Sequence, residues 1–145
     1  MSKFSIPKKP EYKLSEEAAV EQIVAMLAYY DYDIDAIEDA DERKAAEDTL
    51  NKLVRFIRLG KVEIMTDHDP PYAVQYAGDD VVEYKGSINR AKSAMDGYAR
   101  DARYSMLKAF MGSLSGLGKG GVDRMDGKDL QVMEVLANFL STLVS

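Results

Sequence analysis

The sequence has no cysteine and one histidine. It also has no apolar run near the roughly 18 residues that span a bilayer. Without cysteine there is no disulfide framework, no thiolate zinc site and no thiol nucleophile, and a secreted disulfide-rich scaffold is disfavoured. The lone histidine, His68, supports no Ser/His/Asp set. With only Asp67 and Asp69 beside it, it falls short of the three or four converging ligands of a metal site, so it reads as a solvated turn residue. Basic residues are in the minority, 19 against 25 acidic, for a net charge of −6. That balance argues against a nucleic-acid binder, which needs a phosphate-neutralising patch, and favours solubility. The opening residues, Met1 to Pro10, lack the apolar core of a signal peptide, so a cytoplasmic protein is expected.

What is present is the composition of an ordinary globular protein, 46% apolar and 30% charged over 145 residues. That length suits a single domain with a real core. Residues 1–14 read as a basic extended arm, with Lys3, Lys8, Lys9 and Lys13 for charge and with Pro7 and Pro10, which forbid a regular helix. Such a terminus frays unless docked. Docked through Phe4, Ile6 and Tyr12, it would join subunits into a homo-oligomer. Ser15 caps a helix over about 16–30, with Glu16 and Glu17 in the favourable first turn and Val20, Ile23, Val24, Leu27 and Tyr30 at helical spacing. A second helix over 41–59 carries Leu50, Leu53, Val54 and Ile57 and stops at Gly60, completing a hairpin over 15–60. The period then shortens to two. Val62 and Ile64, Tyr72 to Tyr76, and Val81 to Tyr84 are separated by turn signals, which predicts a small antiparallel meander over 61–85. Ser87 opens a third helix over about 88–111, weakened by Gly97 by on the order of 1 kcal/mol. A Gly/Ser-rich step over 112–121 ends that helix, and a last one runs from 127 to 143. The expected fold is mostly α, of α+β class: a helical hairpin, a meander, and two further helices over 87–143.

Three motifs invite chemistry. Asp31, Asp33, Asp35, Asp39 and Glu42 stand at positions 1, 3, 5, 9 and 12 of an EF-hand calcium loop. Ala36 replaces the turn glycine, and Glu38 stands where that loop has an apolar residue. The segment therefore reads as an acidic interhelical loop supplying caps. Ser113 to Gly120 approaches a phosphate-binding P-loop, but the first glycine is Ser113, the magnesium-holding Ser/Thr is Gly120, and the segment follows a helix. It reads as a connector. The acidic residues offer many carboxylate pairs and single out none. No catalytic residue, cofactor or metal is assigned. Nine tyrosines and eight methionines point instead to a protein-binding surface, since tyrosine suits half-wet interfaces and methionine adapts to varied apolar partners.

The most patterned stretch is Leu114-Ser115-Gly116-Leu117, Val122, Met125-Asp126, Asp129-Leu130 and Phe139-Leu140. Gly116 is placed to end one helix and Asp126 to cap the next. With these residues, the segment from about Val81 to Ser141 resembles the phage tail assembly chaperone family of Mu-like and related tailed phages. The resemblance implies a non-enzymatic protein of the host cytoplasm that binds the long helical tape measure protein and keeps it soluble before the tail tube forms. It implies no membrane or nucleic-acid partner. The partner surface is expected on the tyrosine- and methionine-bearing helix faces, at Tyr30, Tyr98, Met106, Leu114, Leu117, Met133, Leu136 and Phe139. The alternative is a virion structural protein (head decoration, connector or tail component) whose arm ties neighbouring subunits together.

Overall fold

The computed structural model describes residues 3, 11–99 and 101–144. Most of the basic arm, including Phe4, Ile6, Pro7 and Pro10, lies outside them. Its last residues are held on their own chain. Lys13 and Leu14 donate their backbone N–H groups to the Arg58 carbonyl, and the Arg58 guanidinium lies 3.8 Å from the Tyr12 ring centroid.

Helix α1 (Glu16–Tyr29) starts where Ser15 Oγ accepts from the Ala18 N–H at 3.1 Å, and it buries Ala19, Ile23 and Met26. These sit at i, i+4 and i+7, one face of a helix. Helix α2 (Ala40–Arg58) is capped by Asp39, whose carboxylate accepts from the Asp41 and Glu42 N–H groups. Arg55 and Arg58 in its last turn complement the dipole. The two helices form the expected hairpin. A three-stranded antiparallel sheet follows in the order β1 (Val62–Met65), β2 (Tyr72–Ala77), β3 (Asp80–Tyr84). The register sets Ile64 against Ala73 and Ala73 against Tyr84 on the inner face, and Glu63, Val74 and Glu83 on the outer. Gln22 of α1 accepts the Ile64 N–H at 2.9 Å, which supplies a partner at the free edge of β1.

The C-terminal region is divided more finely than the sequence pattern suggests. The single helix expected over 88–111 is two, α3 (Ile88–Ser93) and α4 (Arg103–Ser115). Gly97 lies between them at φ +87°, a left-handed conformation that interrupts a right-handed helix rather than merely weakening it. The glycine-rich step is only partly connector. Helix α4 continues through Ser115, Gly116 closes it in the left-handed cap conformation, and Gly118–Asp123 forms the short helix α5. Gly112 permits the fold-back: a Cβ there would lie 2.4 Å from the Gly118 carbonyl carbon. Asp126 caps α6 (Gly127–Thr142) through the Asp129 N–H.

Helix α6 packs against α2, α3 and α4, and Met133, Leu136 and Ala137 are fully buried. One cluster of buried residues runs from Ala19 through the sheet to Leu143. Among the described residues, Gln75 is the one buried polar side chain, and both its amide oxygen and nitrogen are partnered. Tyr84 donates its hydroxyl to Gln75 Oε1 at 2.7 Å, and Gln75 Nε2 donates to the Asp129 carbonyl at 2.8 Å. This chain of hydrogen bonds ties β2 and β3 to the first turn of α6. Burial, helped by the nearby Asp129 charge, pushes the Tyr84 hydroxyl well above its ordinary pKa, so it serves as a neutral donor.

Candidate functional site

The seam between α2 and α6 carries the site. Helix α2 buries only Leu53 and Ile57 fully, while Ala46, Thr49, Leu50, Val54 and Phe56 are half-buried. Its first half therefore stands away from the core, and the acidic loop after α1 fills only part of the gap. The loop is built from local hydrogen bonds. Asp31 turns the chain at φ +52°. Asp33 caps a 3₁₀ turn at Ile34–Ala36 by accepting from the Asp35 N–H at 3.0 Å. Arg43 of α2 reaches back to donate twice to the Ile37 carbonyl. Held in this way, Tyr32, Ile34 and Ile37 form one wall of an apolar groove of about 380 Å³, with Ala46 and Leu50 of α2 and Phe139 of α6 on the other sides. Glu42, Thr49, Arg103 and Asn138 rim it, and Arg103 donates to Asn138 Oδ1 at 2.8 Å.

A second depression of about 410 Å³ continues along the same seam, sharing Thr49 and Asn138 with the first. It is lined by Phe56 and Val135 at its base and by Lys52, Arg55, Gln131 and Glu134 at its margins. Together the two form a trough running along most of α2. Its floor is apolar and its margins are charged, an arrangement that suits a helix with one apolar stripe.

The residues expected to bind a partner are not brought together. Leu114, Met133 and Leu136 are at most 3% exposed and belong to the core. An outward-facing role for them is corrected by their burial, because their apolar spacing marks the helix faces that pack inward. Phe139 is also buried, at 3% exposure, yet it lines the groove. Tyr30 is half-buried and lies away from the groove, beside Pro70 and Ile88. Burial raises the pKa of its hydroxyl. Tyr98 is exposed in the connection between α3 and α4 rather than on a helix, and Met106 is half-buried on α4. Leu117 is 51% exposed at the bend between α4 and α5, where it shares a shallow depression with Val81. The groove residues missed at the sequence level are Ile34, Ile37 and Ala46. The signal was there: Ile34 and Ile37 are apolar residues three apart in an otherwise acidic segment.

Other motifs resolve into structural roles. Asp33 and Asp39 spend carboxylate oxygens on caps. Among the described residues, no group of three or more His, Asp or Glu side chains is placed to hold a metal. His68 lies in an exposed turn, edge-on to the Tyr72 ring at 5.1 Å. Ser113 to Gly120 spans the end of α4 and the start of α5, so it does not follow a strand. On the outer face of the sheet, Tyr76 donates to Glu63 at 2.7 Å and Tyr72 to Glu83 at 3.3 Å. The Glu63 hydrogen bond raises the Tyr76 pKa. No helix among the described residues is long and apolar enough to cross a membrane. No protein-family model matches the chain, and no curated protein or solved structure matches it either.

Proposed function

We propose that this protein is a non-enzymatic assembly factor that holds an apolar helical segment of another protein in the trough between α2 and α6. The observation that carries the reading is the trough itself, with its floor of Ile34, Ile37, Ala46, Leu50 and Phe139 and a continuation along the seam to Phe56 and Val135. The resemblance of residues 81–141 to phage tail assembly chaperones supports a specific partner, the tape measure protein, and a site of action in the host cytoplasm during assembly. A segment that would otherwise aggregate is kept soluble because its apolar stripe is covered until tube subunits replace the chaperone.

The test is co-expression with a tape measure protein of the same phage. The wild-type chain keeps that protein in the soluble fraction and co-purifies with it, and Ala46→Arg, which places a charge on the floor, does neither while retaining the wild-type unfolding midpoint. Equal solubilisation by wild type and Ala46→Arg would overturn the assignment of the trough. High-copy incorporation into purified virions would favour the structural alternative.

A further inference from the structure

The trough is electrostatically polar along its length. At one end stand the exposed carboxylates of Asp33, Asp35, Glu38, Asp41 and Glu42. At the other, Lys52 and Arg55 line the margin. Glu42 and Arg55 are 13 residues apart on one continuous helix, a separation of about 20 Å. The opposite wall carries one charge beside each depression, Arg103 near the first and Glu134 near the second. These reduce the polarity without reversing it, because the acidic end has five carboxylates against Arg43, Lys44 and Arg103.

On the reading that the trough holds a helix, we propose that it accepts that helix in one direction only. The occupant is an amphipathic helix of roughly four turns, with an apolar stripe, Asp or Glu at its N-terminal end and Lys or Arg at its C-terminal end. It lies antiparallel to α2, with its acidic end at Lys52 and Arg55 and its basic end at the Asp33–Glu42 collar. Two physical terms agree on this orientation. Opposite charges meet at both ends, and placing like charges together is penalised. Acidic residues near the N-terminus and basic ones near the C-terminus also stabilise the partner helix itself. Helix dipoles do not choose the direction, because α6 runs antiparallel to α2 along the trough and an occupant opposed to one wall is aligned with the other. The apolar floor supplies affinity and the charged margins supply direction.

The test uses two synthetic helical peptides with the same leucine stripe and the same composition, both held helical by a side-chain staple. One carries glutamates at its N-terminal end and lysines at its C-terminal end; the other has these exchanged. Binding to the full chain is followed by fluorescence anisotropy. The first peptide binds about tenfold more tightly at low salt, and the preference shrinks in 1 M salt. Exchanging the margins of the protein (Asp41→Lys, Glu42→Lys, Lys52→Glu, Arg55→Glu) inverts the preference. If both peptides bind equally and Ala46→Arg abolishes both, the directional inference fails while the trough remains a binding site. If neither binds, the reading of the trough fails, and the inference with it.

Discussion

Replacing Gln75 by leucine tests how the sheet is locked to α6. Gln75 is fully buried, accepts from the Tyr84 hydroxyl at 2.7 Å and donates to the Asp129 carbonyl at 2.8 Å. Leucine is close in volume and more apolar, so area burial alone would forecast a gain of about 1 kcal/mol. Hydrogen-bond accounting predicts the opposite. Two bonds worth about 1 kcal/mol each disappear, and the Tyr84 hydroxyl is left buried without an acceptor, at a further cost of about 1–3 kcal/mol. The Asp129 carbonyl suffers less, because it keeps its place in the helix ladder. The net expectation is a loss of about 2–4 kcal/mol, or a fall of roughly 6–12 °C in the unfolding midpoint for a chain of this size. Urea unfolding followed by circular dichroism measures it. The diagnostic result is the pair: Gln75→Leu together with Tyr84→Phe removes the orphaned hydroxyl and recovers about 1 kcal/mol or more relative to Gln75→Leu alone. A single variant within about 0.5 kcal/mol of wild type, or strictly additive effects in the double variant, would refute the reasoning.

Three further outcomes are expected. Gly112→Ala places a methyl 2.4 Å from the Gly118 carbonyl carbon, which backbone alone must relieve. A loss of about 3 kcal/mol is expected, against no more than a few tenths for Gly120→Ala, where a Cβ meets nothing within 4 Å. Asp39→Ala removes the cap of α2 and costs about 1 kcal/mol in chemical denaturation, whereas Asp39→Asn, which keeps a cap oxygen, stays near wild type. The alkaline limb of stability depends on Tyr84. Burial holds its folded-state pKa above the ordinary 10.0, so its contribution is intact below pH 10 and is lost as pH rises through the folded value. Tyr84→Phe therefore loses less stability than wild type between pH 9 and 11, and parallel profiles would contradict this.

The helical hairpin and the meander were legible because their signals are local. Ser15 and Asp39 are caps, α1 repeats its apolar residues with a helical period, and Val62, Ile64, Ala73 and Val82 follow the alternation of a half-buried sheet. The break at Gly97 was underestimated. Composition prices a mid-helix glycine as a small penalty, and only the three-dimensional path shows that α3 must turn before α4 can pack on it. Helix α5 was hidden for the opposite reason. Gly118, Gly120 and Gly121 argue against a helix, yet α5 forms because Gly112 of α4 lets its first turn pack closely, while a side chain at Gly118 or Gly120 would meet nothing within 4 Å. The candidate site was the least legible part. Periodicity identifies which residues are apolar and says little about which of them a neighbour will cover. Leu114, Met133 and Leu136 thus looked like binding residues and proved to be core. Meanwhile Ile34, Ile37 and Ala46 form a groove only because the loop after α1 is clamped onto α2 by Arg43.

The central claim is that the α2–α6 trough contacts a helical partner, and site-specific photo-crosslinking tests it most directly. A photoreactive side chain at position 46, on the groove floor, or at position 81, on the exposed sheet face, is introduced into the chain co-expressed with the tape measure protein. The account predicts a cross-link from position 46 and none from position 81. A cross-link from position 81 alone, or from neither position while the two proteins still co-purify, would contradict it.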